Sequence, residues 1–195
     1  MSASLVQEGT LLWEPSAEFT EQAVITRYLR WLAEHRALRF DSYDALWSWS
    51  VSDLEGFWSS IWEFFHVQAS APYTAVLGQR AMPGAEWFPG ARLNYAEHIL
   101  RNATEARPAL LFQSEHRPLT ELSWADLTAQ VAAVATALRQ MGVAPGDRVV
   151  AFMPNIPETL VAFLAAASLG AVWSSCSPDF GTQAVIDRFA QIEPT

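Results

Sequence analysis

Helical periodicity dominates the first third of the chain. One face of the first predicted helix consists of Val24, Tyr28, Trp31 and His35. Thr20, just before Glu21, is predicted to cap its amino end, because a hydroxyl at that position accepts a bond from an otherwise unpaired backbone N–H. Two more helices are predicted, near 42–49 and over 53–65.

Aromatic side chains mark the third helix and the segment after it. Trp58, Trp62 and Phe65 are spaced by four and three residues, and core packing is favoured over ligand binding for such a stripe. The segment 67–92 has no periodicity and is rich in Pro and Gly. Trp87 and Phe88 within it indicate a connector anchored on a neighbouring surface, because large apolar side chains favour burial.

Helices and strands alternate from Leu93 onward. Ser123 and Asp126 predict a helix start of the capping-box type, and Gly142 predicts its end. Asn155 and Glu158 predict the start of a later helix in the same way. The stripe of the long helix is formed by Trp124, Leu127, Val131, Val134, Leu138 and Met141. The predicted helices are 94–102, 123–142, 155–170 and 181–191, and the predicted strands are 109–113, 119–122, 148–153 and 171–175.

This order predicts an α/β fold with a parallel sheet, because short strand–helix–strand units are joined by right-handed crossovers. The sequence stops at 193–195, where another strand is expected, which indicates a truncated sheet. The predicted organisation is a helical extension and connector at 1–92, followed at 93–195 by an incomplete βαβαβα portion of a larger domain.

Composition narrows the functional classes. A net charge of −9 with scattered basic residues argues against nucleic acid as a partner. All twelve basic residues are Arg, so the chain contains no Lys. Cys176 has no second thiol to pair with, and the start of the chain lacks a secretory signal, so a cytoplasmic location is expected. The apolar run at 160–173 is too short to span a membrane, so no membrane partner is expected.

The usual catalytic motifs are absent from the sequence. A P-loop requires Lys, the dinucleotide fingerprint requires a G-x-G pair, and a nucleophile elbow requires glycines flanking Ser; none of these occurs. The histidines are far apart, so no metal site is predicted. Carboxylates such as Asp179 with Glu193, or Glu158 with Asp187, have no spacing that favours acid–base pairing over capping or solvation. No catalytic residue is predicted.

The segment 174–181 (SSCSPDFG) has a position typical of a ligand site. It follows a predicted parallel strand and precedes a helix, and open α/β sheets bind ligands beyond the carboxyl ends of their strands. A plain strand-to-helix turn explains the same residues, and the sequence leaves both interpretations open.

Longer motifs carry a family resemblance over essentially the whole chain. The segments 47–51 (WSWSV) and 87–97 (WFPGARLNYAE) resemble the N-terminal region of the acetoacetyl- and acetyl-CoA synthetases. The segment 142–175 resembles the first α/β unit of adenylate-forming acyl-CoA synthetases in general. The strings PGARLNYAEHIL and SSCSPDFG depart from the acetyl enzymes and are similar to the acetoacetyl enzymes.

The resemblance implies a ligase that activates acetoacetate with ATP and Mg²⁺ to an acyl-adenylate and then transfers the acyl group to CoA. It implies that Phe180 and Gly181 line the approach of CoA. It also implies that the phosphate-binding loop, the catalytic Lys, the metal ligand and the acyl pocket lie beyond Thr195, so that this chain alone is inactive and binds no cofactor tightly. A truncated non-enzymatic relative that binds CoA or a synthetase partner, and a ligase for acetate or another short acid, remain alternatives.

Overall fold

The structure, a computed structural model, describes residues 6–195. The prediction that the chain begins without a signal sequence rests partly on residues 1–5, which lie outside the described residues. The chain divides into two compact units. The helical unit comprises 6–67 and Tyr73–Gly90, and the α/β unit comprises Gln68–Pro72 and Ala91–Thr195.

Four helices form most of the helical unit: α1 (Ala17–Gln22), α2 (Val24–His35), α3 (Tyr43–Ser52) and α4 (Leu54–Phe64). The amino ends of α1, α3 and α4 are capped by Ser16, Ser42 and Asp53, whose side chains accept bonds from backbone N–H groups three residues later. The prediction that Thr20 caps the first long helix is wrong. Thr20 lies inside α1, and its carbonyl accepts the N–H of Ala23, where the chain bends into α2.

The core of the helical unit contains one buried polar pair. Tyr28 and Leu32 of α2 and Leu46 of α3 are buried together, and the Tyr28 hydroxyl lies 2.5 Å from the hydroxyl of the buried Ser60. Removal from water raises the pKa of Tyr28, an effect opposed by the Ser60 hydrogen bond and the charge of Arg36. The apolar face predicted for this helix was only partly right, because Val24 of α2 is exposed, whereas Leu32, which was not included in that face, is fully buried.

The aromatic stripe of α4 packs mainly within the same unit. The ring centroids of Trp62 and Phe88 lie 4.6 Å apart, and those of Trp58 and Trp87 lie 5.6 Å apart. Contacts of this kind confirm that the connector is anchored by its aromatic residues. Phe65 differs, since 48% of it is exposed at the rim of an apolar pocket.

The connector contains a short antiparallel pair that the sequence pattern did not predict. Strand β1 (Leu77–Gln79) pairs with β2 (Glu86–Trp87), with a bulge between the two paired positions. The N–H of Phe88 also donates to the carbonyl of Val76, at 2.9 Å. Strands this short leave no period-two pattern in the sequence, which is why periodicity missed them.

The α/β unit contains the elements that were predicted, with ends shifted by at most two residues. Strands β3 and β4 pair antiparallel as a hairpin, whereas β5 and β6 pair parallel, with Arg148 opposite Val172 and Phe152 opposite Cys176. The elements are α5 (Tyr95–Leu100), β3 (Leu110–Phe112), β4 (Thr120–Leu122), α6 (Trp124–Gln140), β5 (Arg148–Phe152), α7 (Pro157–Ser168), β6 (Val172–Cys176) and α8 (Thr182–Ile192). The predicted fold class, an α/β unit preceded by helices, is confirmed.

The core of this unit lies between α5, α6 and α7. Its buried residues are Ala96, Leu127, Val131, Ala135, Val161, Leu164 and Ala165. Small residues at Ala96, Ala135 and Ala165 allow the helices to approach closely. The stripe predicted for α6 runs one residue too far, because Met141 is 78% exposed as the helix cap, and Gly142 takes the left-handed φ of 97° that ends the helix.

The amino end of α6 is capped by the side chains of Ser123 and Asp126. The Ser123 hydroxyl accepts the N–H of Asp126 at 3.0 Å, as predicted. In a capping box the Asp126 carboxylate would accept the backbone N–H of Ser123. Here it accepts from the Ser123 hydroxyl instead, at 2.6 Å. The α6 helix is therefore capped by a side-chain pair.

Asn94 joins two helix ends within the α/β unit. Its side-chain oxygen accepts the N–H of Glu97 and caps α5, while its side-chain amide donates to the carbonyls of Ala167 and Ser168 at 3.0 and 3.3 Å. Those carbonyls belong to the last turn of α7, where backbone acceptors have no partner within the helix. A single half-buried side chain thus holds the start of α5 against the end of α7.

No helix within residues 6–195 combines the length and apolarity needed to cross a membrane.

We predict that Asn94→Ala lowers the free energy of unfolding by about 2 kcal/mol, because it removes an N-cap and two bonds to carbonyls at a helix end. Urea denaturation measures the loss. Asn102→Ala is the matched control, since the Asn102 side chain donates only to carbonyls of its own helix, those of His98 and Ile99. Equal losses in the two variants would contradict a bridging role for Asn94.

Candidate functional site at the carboxyl edge of the parallel sheet

The carboxyl ends of β5 and β6 lie side by side. Their parallel ladder continues one residue past β5, where the Met153 N–H donates to the Cys176 carbonyl at 3.2 Å. Cys176, the last residue of β6, is buried. Ser174 and Ser175 belong to β6, and Ser177 lies in the turn after it.

The turn after β6 is held by its own side chains. The Ser177 hydroxyl donates to the Asp179 carboxylate at 2.8 Å, and the Phe180 N–H donates to the Ser177 carbonyl at 3.1 Å. The Asp179 carboxylate therefore has its hydrogen-bond partner within the turn.

Gly181 occupies the N-cap position of α8 without supplying a side-chain hydrogen bond. Its φ of −63° is open to any residue, and a β-carbon added there would meet nothing within 4 Å. Neither backbone conformation nor crowding within residues 6–195 therefore requires glycine. Because glycine has no side chain, the first backbone amides of α8 receive no cap from this position. The amino end of a helix favours negative charge.

The ring of Phe180 is partly exposed at this edge and is covered on one face by a cation. The guanidinium carbon of Arg188 lies 4.4 Å from the ring centroid, and Phe180 is 40% exposed. An arginine in this position supplies the positive charge that the turn itself lacks. The sequence analysis missed Arg188. Its signal was the spacing of seven residues from Gly181, two turns along one face of α8.

The turn after β5 forms the other side of this edge. Asn155 does not cap α7, contrary to the prediction: Ile156 is the N-cap residue and makes no side-chain cap bond, and Pro157 begins the helix. Proline suits that position because its missing N–H would have no partner there. The Thr159 hydroxyl donates to the Pro154 carbonyl at 2.7 Å and fixes the turn instead.

Glu158 connects the first turn of α7 to the β3–β4 hairpin. Its carboxylate accepts from the guanidinium of Arg117 at 2.9 Å, with both side chains half exposed. The pKa of Glu158 is lowered, first by its own backbone N–H at the helix start and then by Arg117. The Asp187 carboxylate accepts instead from the side-chain amide of Gln183, so Glu158 and Asp187 have separate partners.

No group of three or more His, Cys, Asp or Glu side chains within 6–195 is arranged to hold a metal ion. The residues of this portion therefore do not fit a protein-held Mg²⁺ site.

The larger cavities lie apart from the turn after β6. An open groove of about 990 Å³ lies between 103–108 and the first half of α6, and an apolar pocket of about 300 Å³ lies among α2, α3 and α4. Neither is lined by any residue of 174–181. Position at the carboxyl edge, rather than cavity size, is what makes the turn at Phe180 and Gly181 the candidate site.

Two family models match adjacent parts of the chain. The model described as "AMP-binding enzyme" matches residues 99–195, and that described as "Acetyl-coenzyme A synthetase N-terminus" matches residues 43–99. Together they span 43–195, which covers the whole α/β unit and about half of the helical unit, and α1 and α2 lie outside both matches.

Several characterised proteins are similar to nearly the whole chain. The acetoacetyl-coenzyme A synthetase of Rhizobium meliloti is 44% identical over 94% of the chain, and the acetoacetyl-CoA synthetase of Rattus norvegicus is 41% identical over 97%. The solved structure of acetoacetyl-CoA synthetase from Streptomyces lividans is 52% identical over 93% of the chain, with a TM-score of 0.87. The chain spans about 28% of the two relatives and 29% of the solved structure.

We predict that Glu158→Gln destabilises the protein slightly at neutral pH and has less effect in acid. A lowered folded-state pKa means that the carboxylate stabilises the fold above its ordinary pKa and loses this contribution as pH falls through the lowered value. Solvent screening keeps the difference small for a pair this exposed. Chemical denaturation of both proteins between pH 7 and pH 3 measures it.

Arg117→Gln is the matched variant for this test. It removes the ion pair but leaves the backbone N–H that is the larger cause of the lowered pKa. The contribution of Glu158 to the pH dependence of stability should therefore shrink in Arg117→Gln and disappear in Glu158→Gln. A constant gap between wild type and Glu158→Gln from pH 7 to pH 3 would exclude this interpretation.

Proposed function

We propose, since this chain belongs to the AMP-binding enzyme family and corresponds to the N-terminal portion of acetoacetyl-CoA synthetases, that it is part of a ligase that joins acetoacetate to CoA. In the first step the acetoacetate carboxylate attacks the α-phosphate of ATP, giving acetoacetyl-adenylate and pyrophosphate. In the second, the CoA thiol attacks the acyl carbon, giving acetoacetyl-CoA and AMP. The whole reaction belongs to the longer protein.

The observation that carries this proposal is similarity that extends through both compact units. The structure from Streptomyces lividans is 52% identical over 93% of the chain, which includes the tryptophan-rich helices as well as the parallel strands. A generic α/β likeness would cover only the second unit, and fold alone does not specify activity. The names of these relatives support acetoacetate as the acid.

Within this reaction, the described residues are assigned to the framework and to one edge of the CoA site. Phe180 and Gly181 are proposed to line the approach of CoA, with the uncovered amides of α8 and the charge of Arg188 favouring its anionic groups. Stabilisation of charge on the transferring phosphate needs cations held close to it. The chain contains no Lys and, within 6–195, no metal-binding cluster, so those groups are assigned to the rest of the protein.

Acetate or another short acid is the second candidate substrate. It is favoured by the match of 43–99 to the N-terminus of acetyl-coenzyme A synthetase. The longer protein discriminates the candidates directly, because the ratio of kcat/KM for acetoacetate and acetate reports the difference in transition-state binding.

We predict that the purified 195-residue chain catalyses no acetoacetate-dependent exchange of pyrophosphate into ATP, while the longer protein does. The physical reason is the lack of phosphate-binding cations in this portion. Radiolabelled pyrophosphate exchange measures the first step without CoA, and omission of acetoacetate gives the blank. Exchange well above that blank with the 195-residue chain would refute the assignment of chemistry to the remaining portion.

We predict that Phe180→Ala in the longer protein raises KM for CoA roughly tenfold, the loss expected for one apolar contact, and leaves pyrophosphate exchange unchanged. Exchange precedes CoA binding, so the two assays separate a CoA contact from a general loss of structure. Ile186→Ala, which truncates an exposed apolar side chain on the following helix, α8, is the control and should change neither. An unaltered KM for CoA in Phe180→Ala would remove Phe180 from the site.

A further inference from the structure

The apolar pocket among α2, α3 and α4 has a buried floor and an exposed rim. Tyr28 and Leu46 line it and are buried. Tyr43, Trp47 and Phe65 also line it, and each of them is exposed. Trp47 is 56% exposed, although large aromatic side chains favour burial. The rim therefore presents apolar side chains that are left largely uncovered within residues 6–195.

The polar groups of this pocket need no further partner. No charged residue lines it among the residues that the structure describes. The Tyr28 hydroxyl is paired with that of Ser60, and the Ser50 hydroxyl donates to the Trp47 carbonyl at 2.7 Å. A volume of about 300 Å³ is enough for one compact apolar group such as an indole. The occupant that fits this pocket is therefore apolar and small.

The segment 11–14 (LLWE) of the same unit carries side chains of that kind. Leu11, Leu12 and Trp13 are all strongly exposed, Trp13 by 69%. The segment precedes α1 and belongs to no helix or strand. The Trp13 ring meets the ring of Phe19 edge-on, with centroids 6.1 Å apart, and does not line the pocket. A single copy of the chain thus leaves both the segment and the pocket uncovered.

Charges of opposite sign flank the segment and the pocket. Glu14 ends the segment, and Arg27 lies one helical turn after Val24, which lines the pocket. Within residues 6–195, neither Glu14 nor Arg27 has an ion-pair partner, whereas Arg30 of the same helix pairs with Glu21. An acid beside the apolar segment and a cation beside the pocket are complementary when the two surfaces meet.

We infer that the pocket binds the segment 11–14 of a second copy of this chain, with the Trp13 indole among the aromatic side chains and Glu14 beside Arg27. Each copy carries one segment and one pocket. Two copies can therefore exchange segments around a two-fold axis, which fills both pockets and closes the assembly as a dimer. The inference concerns the helical unit and does not depend on the proposed ligase reaction.

The exposed surface is large enough for a weak, specific dimer. Trp13, Tyr43, Trp47 and Phe65 are each about half to two thirds exposed. Because a whole aromatic side chain offers about 150–250 Å², two exchanged segments would bury on the order of 1,000 Å² in total. Specific interfaces begin at about this area. We therefore expect a dissociation constant on the order of 10 µM.

The test is sedimentation equilibrium of the purified chain at up to about 100 µM, tenfold above the expected dissociation constant. We expect a monomer–dimer equilibrium. Trp13→Ala and Trp47→Ala should each weaken it at least about 30-fold, because buried indoles are typical hot spots of binding. Met82→Ala is the control and should leave it unchanged, since Met82 is exposed in the same unit but does not line the pocket.

An equimolar mixture of the Trp13→Ala and Trp47→Ala variants distinguishes exchange of segments from misfolding. In a mixed dimer, the Trp47→Ala copy inserts an intact segment into the intact pocket of the Trp13→Ala copy. One of the two contacts is therefore kept, whereas a dimer of either variant alone has none. The mixture should associate at least about fivefold more tightly than either variant alone.

Reversal of the flanking charges tests the orientation of the segment. Glu14→Arg and Arg27→Glu each bring like charges together in both contacts of the dimer, and each should weaken association about tenfold. The double variant restores opposite charges and should return to within about threefold of the wild type. A purely structural effect of either substitution would not be rescued by the other.

Two results would overturn the inference. One is a chain that stays monomeric at about 100 µM, and the other is a dimer that Trp13→Ala does not weaken. The longer protein is measured in the same way. Loss of the equilibrium there would mean that other parts of that protein cover the pocket, and it would overturn the inference as well.

Discussion

The parallel ladder between β5 and β6 is the constraint on which the α/β unit depends. Parallel strands cannot be joined by a tight turn, so the chain must cross over through α7, and that helix must bury its apolar face against the unit. Leu164 and Ala165 of α7 are fully buried for this reason, packed with Leu127 and Val131 of α6. The ladder therefore fixes both the direction of the strands and the position of the core.

Polar side chains stabilise one edge of this sheet and leave the other open. At the amino edge, Asn94 and Arg148 donate to the last carbonyls of α7 and α8, which lack partners within their helices. At the carboxyl edge, the N-cap positions of the same helices, Ile156 and Gly181, supply no side-chain cap. The free amides are thus gathered where a ligand of an α/β sheet binds, which is consistent with the site proposed at Phe180.

Element type was predictable because it depends on local periodicity. The helices α3, α4 and α6 and the strands β5 and β6 were predicted close to their observed limits, since three or more apolar positions marked each. Caps were less predictable. Thr20 and Asn155 have side chains that can cap, yet Ala23 and Ile156 occupy the N-cap positions of α2 and α7, because a bend at Ala23 and a proline at 157 decide where these helices begin.

The candidate site likewise combines local features, which the sequence predicted, with contacts that only the folded structure creates. The sequence by itself determined the turn at Phe180 and Gly181, because a strand, a proline and a helix start are local signals, and its longer motifs carried the family resemblance. Only the tertiary structure decided that Arg188 covers the Phe180 ring, that Glu158 reaches Arg117, and that Thr195 meets Arg148. The last two contacts join residues more than 40 positions apart, and the contact of Thr195 exists because the crossover through α8 returns the chain to β5.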